Sequence, residues 1–150
     1  MDPNQHQPSP SWTIRQRTPQ DEPEMIRLAA LEHMEGLGGF DTTLVAHMSD
    51  GRVAGFCRVR VFDGVAHVNP LVTAEEFRRQ GLGVALMHEA FLTWGELRFV
   101  ARGYAVDFYR GIGSVPAKWT DIAPSVACDC DGCEMLPGCN PLPMIYRPET

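Results

Sequence analysis

Residues 78–83 read Arg-Arg-Gln-Gly-Leu-Gly and run straight into VALMHEAF, a stretch patterned as an amphipathic helix. Glycines before a helix let the backbone approach a ligand closely, and the first amides of the helix point outward with the positive end of its dipole. A phosphate is the guest such a turn suits, with Arg78 or Arg79 adding charge. Spacing excludes two kinds of phosphate loop. The nucleoside-triphosphate loop needs Lys followed by Ser or Thr at the helix start, but Gly83 is followed by Val84 and Ala85. The dinucleotide loop needs a third glycine three residues after the second, where Leu86 stands. From these six residues alone, glycines serving close packing at a helix start explain the pattern as well.

The elements that must position this turn follow from period and punctuation. Trp12 and Ile14 alternate with polar neighbours and predict a short strand. Thr18, Pro19 and Asp21 predict a helix start, continued by Met25, Leu28, Ala29 and Glu32 as far as Gly36. From Thr42 the period is that of strands. TTLVAHMS, RVAGFCRVRVF and VAHVNPLVT are divided by Asp50-Gly51 and Asp63-Gly64, strong hairpin signals, and predict an antiparallel meander. In the RVAGFCRVRVF strand, Cys57, Val59 and Val61 share one face and Arg58 and Arg60 the other, so this strand is expected to be half-solvated. The glycine turn then leads into a helix carrying Val84, Met87 and Phe91 and ending near Gly95. ELRFVA predicts a central strand, YAVDFYRGIG a short helix stopping at Gly111 or Gly113, and IYR a last strand. Residues 1–11 read as a disordered tail, and 12–150 as a single domain with an irregular Cys- and Pro-rich segment at about 115–143.

With 150 residues, 44% of them hydrophobic, the chain can bury a core without staples. Its net charge of −6 and single lysine, Lys118, offer no basic field for nucleic acid or an anionic membrane. An acidic field mildly favours a cationic substrate such as an amine. No secretory signal or bilayer-spanning run is visible, so a cytoplasmic location is expected. Cys128, Cys130, Cys133 and Cys139 fall within twelve residues. Only Cys130 and Cys133 have the spacing of a zinc knuckle, and acidic neighbours raise thiol pKa values. Structural loop cysteines, with or without one disulfide, are therefore preferred to a metal site, and no metal is assigned.

A second motif lies downstream, where Ala105, Phe108, Tyr109 and Gly113 fill the pattern Ala-x-x-aromatic-Tyr-x-x-x-Gly. Together with Arg-x-x-Gly-x-Gly at Arg78 to Gly83 and the order of elements over about residues 11–114, it resembles the GNAT-type N-acetyltransferases. The resemblance implies an α+β (mixed α/β) three-layer fold, a mostly antiparallel twisted sheet with a splayed central strand pair flanked by helices. It implies acetyl-CoA as acyl donor and an amine as acceptor, with direct transfer in a ternary complex, and is compatible with a homodimer. Leu71, Val72 and Thr73 would offer backbone groups to the pantetheine arm, with an amide near Val72 facing the oxyanion. The amides of Arg79, Gln80, Gly81, Leu82 and Gly83, with the charge of Arg78 or Arg79, would hold the pyrophosphate, and Tyr109 would be the general acid. No acid stands out as general base. His67 and Asn69, alternating with Val68, are the candidates to face the acceptor, and Glu32, His33 and Glu35 close the helix that borders it. Arg102 stands where an asparagine is common, Ser114 replaces an aromatic, and Arg79 stands where glycine is common. These departures, with the missing base, motivate the alternative of a weak or inactive acyl-CoA-binding regulatory module. A third option is a cysteine loop that binds zinc and a protein partner.

Overall fold

The computed structural model describes residues 12–32, 34, 39, 42–127 and 140–148. Seven strands form one sheet: β1 (Trp12–Gln16), β2 (Thr43–Met48), β3 (Val53–Phe62), β4 (Val65–Thr73), β5 (Leu97–Ala101), β6 (Ser114–Pro116) and β7 (Leu142–Tyr146). Their spatial order is β1-β2-β3-β4-β5-β7-β6, antiparallel throughout except for the β4/β5 pair. Four helices accompany it: α1 (Glu22–Leu31), α2 (Leu82–Trp94), α3 (Val106–Gly111) and α4 (Pro124–Ala127). Among the described residues no helix is long and apolar enough to cross a membrane.

The meander forms as its turn residues dictate. Asp63 and Gly64 both take positive φ, 51° and 79°. A two-residue turn of that hand matches the twist of the strands it joins, here β3 and β4. Pairing then fixes Phe62 opposite Val65 and Gly55 opposite Thr73, with an irregularity between Cys57 and Val59.

The half-solvated reading of β3 is corrected. All residues from Val53 to Val59 are buried, so the central part of the strand is covered on both faces. Arg58 is only 6% exposed. Its guanidinium reaches the Gly39 carbonyl at 2.7 Å from Nε and the Asn69 carbonyl at 2.7 Å from a terminal nitrogen. Those bonds satisfy a group that alternation alone places in water.

Other boundaries shift for similarly non-local reasons. α1 stops at Leu31 rather than Gly36, because the Glu32 and Met34 amides both donate to the Ala29 carbonyl and close the helix. α2 ends at Gly95 as expected, at φ 80°, but its core face is Leu82, Leu86, Met87 and Ala90, and Val84 faces outward. β7 is inserted between β5 and β6, so the IYR strand is interior to the sheet. The stretch after Pro116, expected to be irregular, contains α4 and a short turn at Trp119–Asp121. The four-cysteine cluster and the 1–11 tail lie outside the described residues.

Asp21 anchors the β1–α1 corner. The Thr18 amide donates to its carboxylate at 2.7 Å, the Thr18 hydroxyl and Arg15 donate at 3.1 Å, and His47 Nε2 lies 2.8 Å away. Burial alone would raise its pKa, but hydrogen bonds from the Thr18 backbone, Arg15, His47 and the Thr18 side chain outweigh it and hold the carboxyl at about 2. A lowered carboxylate pKa stabilises the fold fully above the unfolded value of 3.8 and ceases to do so as pH falls through the folded value. The difference is worth roughly 2 kcal/mol. Asp21→Asn should therefore cost about that much at pH 7 in urea unfolding, with the penalty shrinking between pH 3.8 and 2. A penalty independent of pH would show that packing, not charge, matters at this corner.

Candidate active site

β4 and β5 pair only at Ala66↔Leu97 and His67↔Arg98. Beyond His67, β4 keeps β3 on one edge, through Leu71, Val72 and Thr73, while the edge toward β5 has no ladder partner. Backbone groups on that edge need partners from elsewhere, which an extended polar ligand can supply. The sheet thus opens where Leu71, Val72 and Thr73 were expected to present backbone.

Glycine sets the other edge of this strand end. A Cβ built on Gly55 of β3 would lie 2.6 Å from the Val72 carbonyl oxygen, so only glycine allows the observed approach. The sequence reading did not single out Gly55, although an isolated glycine inside a strand pattern is the usual signal of such contact.

After Thr73 a turn at Glu75–Phe77 buries Phe77 and releases the loop. Arg79 and Gly81 both take left-handed conformations, φ 66° and 82°. The first α2 amide to find a backbone partner outside the helix proper is that of Ala85, donating to the Gly81 carbonyl at 3.0 Å. Among the described residues the amides from Arg79 to Val84 have no such partner. They form a run of outward donors at the positive end of a 13-residue helix.

The two arginines separate in role. Arg78 donates to the Thr73 carbonyl from Nε at 3.3 Å and forms an ion pair with Glu32 beyond the end of α1. Arg79 and Gln80 are exposed, and Arg79 has no ion pair among the described residues. Arg79 is thus the free cation at this loop, and Arg78 ties the loop to α1 and β4. Leu82 can contribute only its amide, since its side chain is buried in the core.

α3 approaches the same place from β5. A Cβ built on Gly83 would lie 3.1 Å from Phe108 Cζ and 3.8 Å from a Leu71 methyl. Loop, open strand and α3 therefore converge, with Phe108 as a wall that sequence reasoning placed only as a motif residue. Tyr109 packs on Phe99 at 4.5 Å and on Phe108 at 5.1 Å between ring centroids. Burial pushes its phenol well above the usual range, Cys57 and Tyr104 push the same way, and Arg102 opposes them. The hydroxyl stays protonated through neutral and mildly alkaline pH and is available as a donor.

His67 does not fit the role expected of it. It is 2% exposed, Nδ1 donates to the Val65 carbonyl at 3.1 Å, and Nε2 accepts the Ala123 amide at 3.0 Å. Burial lowers its pKa against the raising influence of the Val65 bond, and Arg98 and Arg60 lower it further. This is a neutral histidine with both nitrogens committed, pinning the approach to α4 onto β4, and it cannot take a proton from an acceptor without losing the Ala123 bond. Asn69 instead meets Arg58 and Arg60. Glu32 is held by Arg78, while His33 and Glu35 lie outside the described residues.

The acetyltransferase (GNAT) family model matches residues 8–113. No curated protein matches the chain by sequence. Among solved structures, N-acetylglutamate synthase from Neisseria gonorrhoeae, complexed with coenzyme A and N-acetyl-glutamate, superposes with a TM-score of 0.72 at 14% identity, over 93% of this chain and 35% of the synthase. The chain thus spans about a third of that protein. Ard1 from Thermoplasma volcanium gives 0.67 at 22% identity, over 93% of this chain and 99% of Ard1. Rv2747 from Mycobacterium tuberculosis, in a complex that includes CoA, gives 0.71 at 13% identity, over 90% and 98%. At these identities the structural likeness establishes the fold alone.

Proposed function

The chain belongs to the GNAT acetyltransferase family, and from that premise we propose that it moves an acetyl group from acetyl-CoA to an amine by direct attack in a ternary complex. The observation that carries the proposal is the coincidence at one end of the sheet of an open β4 edge and a run of unpartnered α2 amides. Two of the solved relatives above hold coenzyme A, and a pyrophosphate joined to an extended amide-bearing arm is the ligand these two features would accept together.

In this reading the amides from Arg79 to Gly83 and the Arg79 guanidinium hold the pyrophosphate, with Gln80 at the mouth of the loop. The open edge of Leu71, Val72 and Thr73 bonds the pantetheine arm. Acetyl-CoA supplies an activated acyl group on sulfur. An amide near Val72 donates to the acetyl oxygen as negative charge develops there. Tyr109 donates its proton to the departing sulfur. With His67 sealed, no side chain is assigned as base, and the amine enters in its neutral form or loses its proton to water.

The sealing of His67 also favours the second reading, an acyl-CoA-binding regulatory module with little or no turnover. Initial rates at crossed concentrations of acetyl-CoA and amine distinguish the schemes. Intersecting reciprocal plots are expected for the ternary complex; parallel lines would indicate an acetylated protein intermediate, and binding without turnover would favour the module.

A further inference from the structure

The geometry points to an acceptor of particular chemistry: a small amine that also carries a carboxylate, bound by Arg60 with Arg58 behind it. This rests on the acetyl-transfer reading and names its second substrate class. Arg58 and Arg60 stand two apart on β3, so both project to the same face. Both guanidinium groups reach the Asn69 side-chain oxygen, at 3.1 and 3.4 Å. Arg60 also lies over the Phe62 ring, 4.9 Å from its centroid. The described contacts of this pair are to neutral oxygens and an aromatic face.

That is unusual within this chain. Arg15, Arg27, Arg52, Arg78, Arg98 and Arg147 each pair with a carboxylate, whereas Arg60 has no acid within reach among the described residues. Two cations drawn to one neutral oxygen repel each other, and the repulsion is strong where one is buried. A carboxylate entering beside Asn69 would relieve it and could take two parallel N–H donors from the fork of Arg60.

The location suits an acceptor. Asn69 occupies the interruption in β3/β4 pairing between Val68 and Leu71, beside the residues whose backbone borders the transfer point. At about 3.3 Å per strand residue, Asn69 and Val72 are roughly 10 Å apart, a span that a flexible arginine and an amino acid bridge together. Arg58 also donates to Gly39, in the segment that joins α1 to β2, so that segment meets the same face. The overall charge of −6, which alone would favour a cationic acceptor, is locally reversed.

The test uses L-glutamate, L-glutamine, glutamine amide and putrescine as acceptors, with Arg60→Gln and Arg60→Lys beside the wild type. Arg60 is partly exposed, so both variants should fold. The two carboxylate acceptors should show kcat/KM about tenfold or more above the amide and the diamine. Arg60→Gln should abolish that preference, Arg60→Lys should keep part of it, and acetyl-CoA affinity should be unchanged in both. Equal or better use of the amide or putrescine, or a preference that survives Arg60→Gln, overturns the inference. If none of the acceptors is turned over, calorimetry of the two amino acids with CoA-loaded protein decides. Binding that depends on Arg60 upholds the carboxylate site while the transferase reading fails, and absence of binding overturns the inference itself.

Discussion

Tyr109→Phe is expected to lower turnover by about 100-fold or more while leaving acetyl-CoA affinity nearly intact, the scale on which a positioned proton donor acts. The hydroxyl meets charge that appears on sulfur only as the thioester breaks, so its loss falls on the transition state. A phenol at its ordinary pKa, near 10, already protonates a thiolate near 8.5 at a cost of roughly 2 kcal/mol. Burial raises the phenol further, so the transfer is favourable only where the same surroundings also desolvate the thiolate. Phenylalanine keeps the ring that packs on Phe99 and Phe108, so stability should change little. Because the phenol titrates above its usual range, wild-type turnover should show no loss assignable to it below about pH 10. A variant within a factor of two of wild type would make Tyr109 a packing aromatic and leave protonation of sulfur to another group or to water.

The second large effect is at Gly83. A valine there would project its methyls toward Phe108, whose ring is 41% exposed and can swing aside, and it sits in a helix where valine is no worse than glycine. The fold should survive. The branched side chain would stand at the point where Leu71, Phe108 and the free amides converge, and would hold a pyrophosphate away from them. Losing one charge-assisted bond, worth about 1.5–3 kcal/mol, raises the acetyl-CoA Kd by about 10- to 100-fold. Calorimetry on the folded variant measures this directly, and an unchanged affinity would remove residues 79–83 from phosphate binding.

What local sequence could reveal was local. The Asp63-Gly64 turn, the helix start after Gly81 and its end at Gly95 are each dictated by one or two residues, and the structure has them. The alternation that assigned Arg58 to solvent is equally local, and it failed because Gly39 and Asn69, 19 and 11 residues away in sequence, supply acceptors inside the fold. His67 was legible as a strand residue with a polar side chain. The amide that occupies its Nε2 comes from Ala123, 56 residues on, and no periodicity in β4 encodes it. Arg78 and Arg79 look alike in sequence, and only the Glu32 carboxylate, 46 residues away, tells them apart. Gly55 was readable but unread: its place opposite Thr73 needs the register of β3 on β4. The phosphate loop and the tyrosine helix could be found from the sequence because each is a short motif, whereas the acceptor side is assembled from β3, β4 and the α1–β2 segment.

The most direct test of acetyl transfer is amine-dependent release of free thiol from acetyl-CoA by the wild-type chain, read colorimetrically with calorimetry of acetyl-CoA on the same preparation. Saturable acetyl-CoA binding is predicted, with thiol release that rises with amine concentration, saturates, and yields one N-acetylated product per thiol. Acetyl-CoA binding with no thiol release from any amine in a panel of amino acids, diamines and peptides would contradict it and identify the chain as a binding module.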